Sequence, residues 1–173
     1  MLKVWDAFVR VAHWSLVASI AGAWFTREAL HEWLGYIALG IVVLRIAWGF
    51  AGPDYARFRQ FVRGPAATFA YARALAARAE PRYLGHNPLG GWMIVALLAT
   101  VVLTGVSGWL STTDRFWGVA WVQDGHELLA DALVALAGLH VAGVVYASLR
   151  HCENLPGAMV TGHKRPPQPG DVL

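Results

Sequence analysis

Apolar residues run almost unbroken through four stretches of the chain, about 8–26, 31–50, 88–110 and 126–149, and polar residues gather between them. A helix of roughly 20 residues crosses a hydrocarbon core about 30 Å thick, so each stretch is long enough to span a membrane. The pattern predicts an all-α, integral membrane four-helix bundle over 1–162. The link between the second and third spans begins at Gly52-Pro53, and "GPAATFAYARALAARAE" reads as a helix with Pro65 in its first turn. Its arginines and aromatics suit a helix lying on the inner membrane surface. The ending, 163–173, is polar and proline-rich and reads as a flexible tail. No internal repeat or second domain is evident.

Composition agrees with a non-aqueous solvent: 57% of the 173 residues are hydrophobic and 14% charged, outside the usual balance of a soluble domain. Lys3 and Arg10 before the first run, with Ala21-Gly22-Ala23 inside it, also fit a secretory leader. That run is long for a leader, and another span follows it. Arginines crowd the middle link, as Arg57, Arg59, Arg63, Arg73, Arg78 and Arg82 against Asp54 and Glu80, and the tail adds Arg150, Lys164 and Arg165. The positive-inside rule then places both termini and the middle link of this multi-pass protein in the cytoplasm. Trp24, Trp33, Trp109, Trp117 and Trp121 fall near the outer boundary and Trp5, Trp14, Trp48 and Trp92 near the inner one, as aromatic belts do. Lipid is therefore an expected partner and nucleic acid is not. The lone Cys152 is expected as a reduced thiol, and the absence of CxxCH argues against covalently attached haem.

Histidines carry the candidate chemistry. A polar side chain in a membrane helix is costly and marks function, and His13, His31, His126 and His140 lie in or at the start of spans. Fourteen residues separate His126 from His140; at about 1.5 Å and 100° per residue they project from similar faces roughly 21 Å apart in depth. Helix direction places His31 at the outer level with His126, and His13 at the inner level with His140. Two stacked pairs suggest two non-covalent bis-histidine b haems, the outer iron held by His31 and His126 and the inner by His13 and His140. Zinc would want about four ligands at one centre. Arg45, fourteen residues after His31, falls near the inner haem level and could pair with a propionate or snorkel to headgroups. Arg10, one turn before His13, has the same two readings. Asp131 is expected to point into the bundle or toward outer water. Gly22, Gly35, Gly40, Gly105, Gly108, Gly138 and Gly143 suit either a flat macrocycle or close helix packing. His86 and His151 read as structural or capping residues, with a propionate or quinone contact as the alternative, and His163 as solvent-exposed.

With these residues in place, the chain resembles the bacterial cytochrome b561 family and its relatives, the b-type cytochrome subunits of nickel-iron hydrogenases. The resemblance rests on "VWDAFVRVAHW", "HEWLGYIALGIVVLRIAWG", "GPDYARF", "LGHNPLGGWM" and "HELLADALVALAGLHVAGVVYASLRHCENLPGAMVTGHKR". It implies a di-haem b protein passing electrons across the inner membrane, with His13, His31, His126 and His140 at the axial positions. Two functions stay open at this point. One is an electron-transfer subunit of a respiratory chain, linking ubiquinone or menaquinone to a c-type cytochrome, a dehydrogenase or a hydrogenase. The other is a stand-alone enzyme oxidising superoxide and reducing ubiquinone. In the third link Arg115 is the only full cation, a poor funnel for a small anion, whereas Trp117 and Trp121 could dock a quinone or a protein.

Overall fold

The computed structural model describes residues 1–172 and is helical throughout, apart from one short strand pair. Four helices are long and apolar enough to cross a membrane: α1 (Ala7–Phe25), α2 (Glu28–Ala51), α5 (Pro88–Ser111) and α6 (Ala120–Arg150). The middle link folds as a 3-10 turn (Asp54–Ala56), α3 (Phe58–Phe61) and α4 (Pro65–Ala76), with Pro65 at the helix start as expected. After α6 come α7 (Leu155–Thr161) and strand β2 (His163–Lys164), which pairs antiparallel with β1 (Leu2–Lys3). The largest boundary difference is at α6, which begins six residues before the expected 126. Val122 explains it: this polar-looking first turn buries one apolar side chain to 2% exposure, enough to keep "AWVQDG" helical.

The described chain falls into two compact units, residues 1–10, 48–95 and 139–172 forming one and residues 11–47 and 96–138 the other. The first is organised around the chain ends. Val4 and Trp5 donate backbone hydrogen bonds to the Gly162 carbonyl, at 2.9 and 3.1 Å. A side chain is excluded at Gly162 twice over: its φ is +83°, and a Cβ there would meet the Trp5 carbonyl oxygen at 2.7 Å. Val4, Trp5 and Ala158 are buried together, and His86 lies between the rings of Trp5 (4.6 Å) and Phe61 (5.0 Å). Trp5 is thus a core residue, 6% exposed, instead of the belt residue its position suggested; the β1–β2 pairing folds the N-terminus over it.

The first unit also holds a buried ionic network. Arg82 pairs with Glu153 and with Asp171, both at 2.5 Å, and Lys164 reaches Glu153 at 3.6 Å. Nearby, Arg150 donates to Glu80 at 3.0 Å and Tyr146 to the same oxygen at 3.2 Å. Segment 163–172, read from its composition as a flexible tail, is thereby tied down. The Val172 amide donates to the Arg82 carbonyl, and the Leu84 amide donates to the Val172 carbonyl. The physical reason is charge burial: an arginine removed from water needs its anions, and one of them is Asp171.

In the second unit, Val42, Ala38, Leu98, Val101, Val122 and Leu133 are buried. Hydroxyls within its helices bond back to carbonyls one turn earlier, Ser19 to Ser15, Thr104 to Thr100 and Ser111 to Ser107, which satisfies them without water. Gly22 and Gly105 face Leu34 and Leu39, whose atoms a Cβ would approach to 2.9 and 3.2 Å, so both serve close packing. Gly35 and Gly40 face open space. Outward, Val11, Val17, Leu30 and Val43 are exposed, as a lipid-facing surface requires.

Candidate functional site

His31 stands in the first turn of α2 and His126 in the second turn of α6. The structure brings them together, with ring centroids 6.0 Å apart and planes at 80°. Each is oriented through Nδ1. His31 Nδ1 lies 2.8 Å from the Ala23 carbonyl oxygen at the end of α1, and His126 Nδ1 lies 3.1 Å from the Thr104 carbonyl oxygen on α5. A carbonyl only accepts, so each Nδ1 carries the proton and donates. In a neutral imidazole that leaves each Nε2 with its lone pair. Ser107 reinforces one side: its hydroxyl donates to the Thr104 carbonyl at 2.9 Å, and its oxygen lies 3.1 Å from His126 Nδ1.

The ring spacing admits a metal ion between the two imidazoles. A metal–imidazole bond of about 2 Å on either side, plus the ring radii, requires centroids roughly 6 Å apart. Gly35, one turn along α2 from His31, has nothing within 4 Å of where a Cβ would stand, which leaves a flat group room beside that ring. Gly108 fits closely instead, since a Cβ there would lie 3.0 Å from His126 Cε1. Two imidazoles presenting bare Nε2 atoms, with space alongside, suit the iron of a haem. Among the described residues no three His, Cys, Asp or Glu side chains converge on one point as a bare-ion site would need.

The other candidates fall as follows. His13 is half-buried in the second unit, edge-on to Trp14 at 5.1 Å. His140 is half-buried on α6 in the first unit. Arg45 is buried, 8% exposed, in the second unit, an expensive place for a cation that does not reach water. Arg10 donates to the Val160 carbonyl in the last turn of α7, where a guanidinium satisfies an end carbonyl. Asp131 is exposed; two residues from buried Leu133, it lies about 160° round α6. It therefore does not enter the packed side of the helix. Outside the spans, burial pulls the His151 imidazole below its usual range, with Glu80 opposing and Arg150 adding to the fall.

Sequence reasoning missed Thr104 and Ser107, because helical hydroxyls have no motif and the third span contains no histidine. It missed the Arg82–Glu153–Asp171 network too, since Glu153 and Asp171 are 71 and 89 positions from Arg82. The family model described as prokaryotic cytochrome b561 matches residues 4–162. No curated protein and no solved structure matches the chain.

Proposed function

The chain belongs to the prokaryotic cytochrome b561 family, and from that membership we propose that it carries electrons across the inner membrane on two bis-histidine b haems, between the quinone pool and a redox partner. The observation that carries the reading is the His31–His126 pair, at 6.0 Å with both Nδ1 atoms committed to carbonyls. Haem, when bound, supplies one-electron exchange between ferric and ferrous iron. The protein's part is positional. Ala23, Thr104 and Ser107 hold the two imidazoles in the tautomer that ligates, and such support raises ligand basicity. Two protein ligands leave an iron no open position, which favours electron transfer over oxygen binding.

His13 and His140 are assigned to the second haem from helix register: α1 and α2 run in opposite directions, and so do α5 and α6. Burial of Arg45 supports a propionate partner over a snorkelling cation. The arginine bias places both termini in the cytoplasm.

A c-type cytochrome, a dehydrogenase or a hydrogenase would serve as the redox partner. The loop end near His31 and His126 favours such a carrier over a superoxide oxidase. Glu28, Glu32, Asp114, Asp124, Glu127 and Asp131 are all exposed there, against Arg27 and Arg115, and that excess repels a small anion. Haem stoichiometry of the purified protein tests the proposal. Two b haems per chain are expected; His126→Ala should retain one, and His126→Met should keep both with one potential raised. Wild-type protein with fewer than two haems in fully loaded material overturns the di-haem reading. Rapid superoxide-dependent quinone reduction by the isolated protein would overturn the carrier reading.

A further inference from the structure

Helix α4 is amphipathic in an unusual sense, because its exposed face is apolar. Ala66, Phe69, Ala70, Arg73 and Ala77 recur at spacings of three and four residues, and all are exposed, Phe69 to 72%. The opposite side is anchored in the first unit: Tyr71 is buried, its ring 5.5 Å from that of Tyr83. Arg78, directly after the helix, is also exposed, and its carbonyl accepts a hydrogen bond from Arg150 at the end of α6.

The acids of this link and of the segments packed on it are already engaged, with Arg59 sharing Asp54. Arg57 pairs with Asp54, Arg82 is enclosed by Glu153 and Asp171, and Glu80 is held by Arg150. Arg73 and Arg78 therefore present net positive charge beside an exposed aromatic ring. Membrane-spanning helices tether the segment on both sides, since α2 ends at Ala51 and α5 begins at Pro88. A helix held at a bilayer with an apolar face and flanking arginines has the chemistry of an interfacial lipid-binding helix.

We propose that α4 is a docking surface for anionic phospholipid, with Phe69 inserting between acyl chains and Arg73 and Arg78 binding headgroup phosphate. The proposal is independent of the haem assignment. It explains why a 72% exposed phenylalanine is tolerated where water would otherwise meet it.

Hydrogen exchange on the full-length, haem-loaded protein in nanodiscs tests it. Amides of 65–78 should exchange at least about tenfold more slowly in phosphatidylglycerol than in phosphatidylcholine, and 0.5 M salt should abolish most of the difference, since each arginine near an anionic surface contributes roughly fivefold. The double variant R73Q/R78Q should remove the lipid preference, and Phe69→Ser should weaken protection in both lipids. An unchanged haem spectrum in the variants shows that the bundle is intact. Equal exchange in the two lipids overturns the proposal. So does protection in phosphatidylcholine produced by added inorganic phosphate alone, which would make the site one for free anion. Retention of the lipid preference by R73Q/R78Q would also overturn it.

Discussion

The chemistry of the His31–His126 pair depends on one proton on each ring, and two backbone carbonyls fix where it sits. Gly108 guards that arrangement, because any Cβ there approaches His126 Cε1 to 3.0 Å and Nδ1 to 3.3 Å. Gly108→Ala is expected to displace the ring, costing about 1–3 kcal/mol of overpacking. The measured result should be loss of one haem per chain with helix content unchanged. Ser107→Ala leaves the Thr104 carbonyl in place, so two haems should remain, with the midpoint potential of one shifted in a redox titration. A Ser107→Ala protein with neither haem altered would show that this hydroxyl takes no part in supporting His126.

At the scale of elements, close approach is negotiated by glycines at particular crossings. Near the end of α2, a Cβ at Gly49 would lie 2.1 Å from Phe58 Cε2. In the first turn of α5, a Cβ at Gly91 would lie 2.4 Å from the Phe61 carbonyl oxygen. The two differ in what can yield: a phenyl ring can rotate, whereas backbone cannot. Gly91→Ala should therefore lower the melting temperature in detergent more than Gly49→Ala, with Gly49→Ala costing about 1–3 kcal/mol. Equal shifts would refute the distinction. The spans themselves were legible within a few residues because hydrocarbon imposes one length and one composition on any crossing helix. The early start of α6 was not, since it depends on Val122 finding a buried place.

For the whole molecule, the network in the first unit ties segment 163–172 to α7 and the middle link, and it titrates. Burial by itself would raise the Glu153 carboxyl, but Arg82 and Lys164 outweigh it and hold the group below the ordinary range. For Asp171, burial is likewise overcome by the Gln168 amide and Arg82, which keep it low. Carboxylates depressed in the folded state contribute stability that is present above their unfolded pKa, about 4, and is lost as pH falls through the lower folded values. In unfolding followed by spectroscopy, stability should thus hold from pH 7 to about 5 and drop below about 4. Arg82→Ala should cost roughly 3 kcal/mol, because Asp171 loses its arginine and Glu153 keeps only the longer Lys164 contact, at 3.6 Å. An acid-insensitive, stable Arg82→Ala protein would remove the network from the account of the tail.

What this sequence determined alone was whatever depends on solvent and periodicity. Four apolar runs define four membrane-spanning helices, and opposite helix directions put His31 at one level with His126, the centroids of their rings lying 6.0 Å apart in the structure. Tertiary structure decided which groups stand around those positions: the carbonyls of Ala23 and Thr104, the fold of the chain ends over Trp5, and the anions around Arg82. The reason is range. Hydrophobicity and helical pitch act between near neighbours along the chain, whereas hydrogen bonds and ion pairs join groups whose sequence separation carries no signal until the backbone has folded.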